Sequence, residues 1–237
     1  MMLLASGVQY SPLLFAALAG WIMCTCLHEF SHALVAYWGG DRTVRDKGYL
    51  SVDPTRFIDP VFSLLIPAIV LLTGGFPFPG ASVQIDTSRL KSDKWSAYVS
   101  AAGPVSNGIL FLLFALPLHP MLGLVPAVVE DRPAWVHYLG CMATLNFIAM
   151  LFNALPVPPL DGFGMIEHTL SHETRWKARQ PGVTWMAFLG LMVFINTVPQ
   201  AMRAFLFMLS RVCGATGIPL DVLIDGYAFI LFGEPPG

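Results

Sequence analysis

From Ser11 to Trp38 the chain runs 28 residues in which, Cys and Tyr aside, the ionisable side chains are His28, Glu29 and His32. A run that apolar exceeds the roughly 20 residues needed to cross a bilayer core. In lipid it must be a helix, because only a helix satisfies its own backbone. On that helix His28 and His32 are four residues apart and share a face. Two imidazoles so spaced can hold a zinc ion, and Glu29 beside the first can take a proton from water. Ionisable groups at membrane depth are costly and mark a site. Cys24 also shares the His28 face and is an alternative ligand, but packing as a small apolar residue is its expected role.

The rest of the chain has the same character. Of 237 residues 55% are hydrophobic and 12% charged, against about a quarter charged in soluble domains. With mean hydropathy at +0.65, a multi-spanning membrane protein is expected. Net charge is −2 and there is no long basic tract, so nucleic acid is not an expected partner. Cys24, Cys26, Cys141 and Cys213 all lie in apolar context, which is not a disulfide framework. The N-terminus lacks a basic n-region, so the first apolar segment is expected to be retained as a span.

The expected fold is an all-α polytopic membrane protein with about four to six transmembrane helices, a re-entrant segment and short β-strands near the cytoplasmic face. One domain covers 1–237, with a catalytic core at about 11–165 and C-terminal helices at about 183–235. Spans are expected at 11–38, 95–116 and 134–155, with a fourth from about 183. Residues 61–73 are apolar but short, and Tyr49-Leu50-Ser51-Val52 and residues 82–86 read as strands. Lys and Arg number four in 41–60, three in 86–94, one in 117–133 and three in 167–181. The positive-inside rule then puts the 117–133 loop outside and the others in the cytoplasm. Residues 57–86 start and finish on one side, so they are expected to dip into the membrane and return.

A catalytic zinc takes three protein ligands and leaves one open position. With this topology Asp161 lies at the same depth as the two His, in a turn freed from helical geometry by Pro156, Pro158, Pro159 and Gly162. An acidic residue in so apolar a stretch is a functional candidate; the other reading is a helix-capping Asp. Beside the paired His, the ligand role is expected.

These motifs together resemble the site-2 protease family of intramembrane zinc metalloproteases. The resemblance rests on His28-Glu29-Phe30-Ser31-His32, on Asn153-Ala154-Leu155-Pro156-Val157-Pro158-Pro159-Leu160-Asp161-Gly162, and on Ala102-Gly103-Pro104-Val105-Ser106-Asn107. Gly40-Asp41 and Asp59-Pro60 fit the compact members, and about residues 15–165 are covered. The resemblance implies one Zn2+ per chain on His28, His32 and Asp161, Glu29 as general base, and membrane-anchored protein substrates within the lipid bilayer. Phe78-Pro79-Gly80-Ala81 departs from the G-W-A-K-P-V-like stretch of many relatives. No insertion is large enough for a PDZ or CBS module.

Asn146 and Asn153, seven residues apart on the third span, are candidates for substrate or oxyanion contact; interhelical hydrogen bonding is the alternative. Asn107 is read as structural. Residues 82–86 could bind an unwound substrate by edge addition. His168 and His172 are four apart and are read as interfacial polar residues, not a second metal site. The competing functions are a non-proteolytic membrane scaffold and a metal-binding transporter. A third, the zinc protease type acting on prenylated C-termini, takes a downstream Glu ligand, and the expected spans at 95–116 and 134–155 carry no Glu. A cell membrane location with the site toward the cytoplasm is expected. Substrate identity and oligomeric state are not encoded legibly.

Overall fold

The computed structural model describes residues 12–57, 83–126, 128 and 131–232. Nine α-helices occur among them: α1 Pro12–Gly39, α2 Thr43–Asp46, α3 Asp93–Ala115, α4 Ala134–Asn153, α5 Asp161–Glu167, α6 His172–Ala178, α7 Pro181–Thr197, α8 Pro199–Thr216 and α9 Leu220–Phe232. Three helical stretches, Pro12–Gly39, Asp93–Leu118 and Ala134–Asn153, are long and apolar enough to cross a membrane; the pair α7 and α8 makes a fourth if counted as one broken span. The chain is a multi-pass membrane protein. Among the described residues, the lower end of the expected four to six spans is met only when the broken pair is counted. The break has a local cause. Pro199 lacks an N–H and disfavours helix in the residue before it, and Val198 is extended at φ −103°, ψ 102°. Helix α9, at 13 residues, is too short to cross alone.

The expected short strands are absent among the described residues. Residues 49–52 are irregular, and 83–86 run without regular structure. Two backbone groups of 83–86 are held by side chains. The Asp86 N–H donates to Asp41 Oδ2 at 2.8 Å, and Lys47 Nζ donates to the Gln84 carbonyl at 2.9 Å. The expected re-entrant segment, apart from its ends, lies outside the described residues, as do Asp59-Pro60 and Phe78-Pro79-Gly80-Ala81.

The chain divides into two compact units. The first takes residues 23–107 and 149–203. Its small core is Ala33, Ala36, Val44 and Val99, with Tyr49, Val83 and Ile85 packed around it. Asp41, fully buried, organises this end. Its Oδ1 accepts from the Thr43 N–H and hydroxyl at 3.0 and 2.6 Å while Oδ2 holds Asp86. Asp86 in turn caps the next turn, and the Ser88 hydroxyl and Arg89 hold its carboxyl below the usual carboxylate range.

The second unit takes residues 1–22, 108–148 and 204–237. Phe147 stands at its centre against Phe111 and Phe205. Helix α9 is fastened to α4 by polar groups. Arg132, just before α4, donates to Asp225 at 2.6 Å and Asp221 at 2.8 Å. Thr144 Oγ1 donates to the Leu223 carbonyl at 3.0 Å.

Candidate metal centre

The centre is built inside the first unit from three elements. Helix α1 supplies His28 and His32, both buried. Asp161 opens α5 after the proline turn. Gly162 explains how the chain returns there: a Cβ on it would collide with the Ala154 and Leu155 carbonyl oxygens. Asp161 also sits in the first turn of α5, where unpaired helical N–H groups favour a carboxylate.

The three side chains converge. His28 Nε2 and His32 Nε2 are 3.1 Å apart, and Asp161 Oδ2 lies 3.2 and 3.3 Å from them. Ligand atoms at zinc's usual bond lengths around a tetrahedral centre stand about 3.3 Å from one another. The triangle fits a tetrahedral ion with one position left open.

The ring tautomers agree with that fit. His32 Nδ1 lies 2.6 Å from the Val99 carbonyl. A carbonyl only accepts, so Nδ1 carries the proton and Nε2 presents its lone pair. Asn107 Nδ2 lies 3.0 Å from His28 Nδ1, and the two amide atoms exchange places by a half-turn. With its oxygen turned to the ring it accepts that proton and frees the second Nε2. Asp161 Oδ2 is buried without a hydrogen bond. Three lone pairs at this spacing repel unless a cation lies among them.

Helix α3 leaves the room. Val99, Gly103, Ser106 and Asn107 form one helical stripe toward the His-bearing stretch of α1, with Ser106 Oγ also donating to the Leu27 carbonyl. A Cβ on Gly103 would stand 2.5 Å from His28 Nε2 and closer still to His32 Nε2 and His28 Cε1. The glycine keeps the face of the triangle clear. Sequence reading gave Gly103 no role beyond its place in the Ala102–Asn107 segment and took Asn107 for a structural residue. The signal that could have found them was the helical spacing of Gly103 and Asn107 on a helix carrying few other polar groups.

Glu29 is buried beside the pair, and the Val83 N–H donates to its carboxylate. Asn153 is half-buried at the last residue of α4. Asn146 is fully buried in the second unit, where its amide donates to the Met142 carbonyl at 2.8 Å. His168 and His172 do not share a helix: α5 ends at Glu167, and Ser171 caps α6 in between.

Comparison with known proteins identifies the family. A family model described as peptidase family M50 matches residues 121–197. The chain is 35% identical to the protein named "Putative zinc metalloprotease Rip2" of Mycolicibacterium smegmatis, over 80% of this chain and 70% of that protein. It is 33% identical to the Rip2 protein of Mycobacterium tuberculosis, covering 80% and 72%. It is also 33% identical to "Putative zinc metalloprotease YwhC" of Bacillus subtilis, covering 67% and 71%. No solved structure gave a significant match.

Proposed function

Because the chain belongs to peptidase family M50, the site-2 protease family, we propose that it is a zinc metallopeptidase that hydrolyses a peptide bond in or near the transmembrane segment of membrane-anchored proteins. His28, His32 and Asp161 hold the zinc, one ion per chain, and Glu29 is the general base. The observation that carries this reading is the triangle of donor atoms with sides of 3.1 to 3.3 Å.

When bound, zinc polarises the scissile carbonyl and brings the pKa of water toward about 7. Glu29 takes the proton of the attacking water and delivers it to the leaving nitrogen. Its bond from the Val83 N–H keeps the carboxylate pointed and leaves one oxygen for the proton. Val99 and Asn107 hold the imidazoles in the binding tautomer. Asn153 is the candidate for stabilising the developing oxyanion. An unwound substrate strand pairs with the backbone of Ile85, the groups of Gln84 and Asp86 being already held by Lys47 and Asp41. The Lys and Arg distribution supports a cell membrane orientation with the site toward the cytoplasm.

The test is zinc content of the detergent-purified protein together with cleavage of transmembrane-peptide libraries. Wild type should hold one zinc and cut. Glu29→Gln should hold zinc and not cut, and Asp161→Ala should lose zinc. Full zinc in Asp161→Ala would refute the ligand set. Zinc with no cleavage by wild type would favour the scaffold or transporter.

A further inference from the structure

Beside the metal centre, within the same unit, lies a cavity of about 400 Å³ that has Asp161 at one place in its wall and the pair Glu167 and Arg179 at another. One face of α5 forms this wall: Leu160, Phe163, Gly164 and Glu167 follow at helical spacing, with Asp161 next to them. Apolar side chains share the lining with the hydroxyl residues Thr87, Ser96, Ser100 and Thr184. Such a lining suits an extended peptide, which needs partners for its backbone as well as room for its side chains.

The ion pair is asymmetric. Glu167 is buried, with its side chain 9% exposed, whereas that of Arg179 is 61% exposed. Arg179 Nε and Nη2 donate to the two Glu167 oxygens at 2.5 and 2.6 Å. Both carboxylate oxygens are therefore engaged. Nη1 keeps both of its hydrogens without a partner among the described residues, and Nη2 keeps one. A guanidinium held rigid by one carboxylate and still offering a fork of donors is suited to a second carboxylate.

We infer that this cavity is a specificity subsite, in which Arg179, braced by Glu167, receives an acidic side chain of the substrate. This rests on the peptidase reading above. Six residues of helix separate Asp161 from Glu167, a rise of about 9 Å. An extended peptide covers that in about three residues. The preferred substrates carry Asp or Glu about three residues from the cut bond.

The first measurement needs no catalysis. Fluorescein-labelled 12-residue Leu/Val/Ala peptides, each with one Glu or one Gln, are titrated by anisotropy against the zinc-bound Glu29→Gln protein in neutral detergent. The Glu peptide should bind about fivefold tighter. The preference should vanish in Glu29→Gln/Arg179→Gln with zinc content unchanged. Equal binding of the two peptides overturns the proposal. So does a preference that survives Arg179→Gln, which would reduce the ion pair to a structural tie. If phosphatidylglycerol in the micelle abolishes the preference at constant ionic strength, the guanidinium is a lipid headgroup site and the proposal falls. The second measurement maps wild-type cuts in peptides with the Glu moved stepwise. Cuts that follow the Glu at about three residues support the register; cuts indifferent to it refute it. A Glu preference in binding with no cut in any peptide would refute the peptidase reading and leave the anionic subsite standing.

Discussion

Gly103→Ala should empty the metal centre while leaving the protein folded. The added Cβ would stand 2.5 Å from His28 Nε2, and nearer to His32 Nε2 and His28 Cε1. Ordinary contact begins at about 3.5 Å, so some atoms must retreat by about 1 Å. If the imidazoles turn, they lose the bonds to Val99 and Asn107. If α3 backs away, the same bonds stretch. Either movement is about five times the roughly 0.2 Å tolerance of a metal–ligand distance. Overpacking of this size costs about 1–3 kcal/mol of stability. Disturbed outer-shell bonds alone lower affinity by about 10- to 100-fold, and intrusion on the ion's own space adds to that. The assay is zinc per chain after equilibration against a chelator series, with a thermal melt on the same sample. Gly164→Ala is the matched control: its Cβ meets Ser100 Oγ, a hydroxyl that can rotate, and stands 3.0 Å from Ser100 Cβ, so the shift needed is small and away from the ligand atoms, and zinc should stay. A Gly103→Ala protein with one zinc and unchanged affinity would refute the account of why α3 carries glycine there.

Asp41→Asn should weaken the grip on residues 83–91, because Oδ1 and Oδ2 together accept three hydrogen bonds in a fully buried position. A loss of about 1–3 kcal/mol and faster limited proteolysis in that stretch are expected, and unaltered protection would contradict it. Ile85→Pro should stop cleavage with zinc retained, since it removes an N–H from the extended segment; Val83→Pro is less clean because the Val83 N–H also serves Glu29. Continued turnover by Ile85→Pro would exclude edge pairing. Arg132→Met strands Asp225, whose side chain is 13% exposed, and should cost about 3–5 kcal/mol. Adding Asp225→Asn should recover part of the lost melting temperature; no recovery would show that the ion pair is not what fastens α9.

Much of this was readable in the chain because lipid demands long uniform stretches. The apolar runs at 11–38, 95–116 and 134–155 correspond to Pro12–Gly39, Asp93–Ala115 and Ala134–Asn153. Asp161 stood out because it was an acid among prolines and aliphatics, and the structure brings it to the two His. Gly103 did not stand out, because a missing side chain has no chemistry of its own and matters only through what approaches it. Alternation over five residues at 82–86 could not reveal that Asp41 and Lys47 would take the backbone groups a strand partner would have used. The spacing of His168 and His172 would put them on one face only in a continuous helix, and the cap at Ser171 separates them. Asn146 was placed on the correct span, but its burial is a tertiary property that periodicity does not carry.

The two imidazoles are only four residues apart, whereas Asp161 follows them by more than half of the chain. Synthesis proceeds from the N-terminus, and early elements are made before late ones exist. A nascent chain therefore holds His28, Glu29 and His32 in the membrane through the insertion of α3 and α4 with no carboxylate to close the triangle. Order of manufacture thus delays the centre's completion: a chain stalled or truncated ahead of Leu160 lacks the carboxylate that stands beside the two imidazoles in the finished protein.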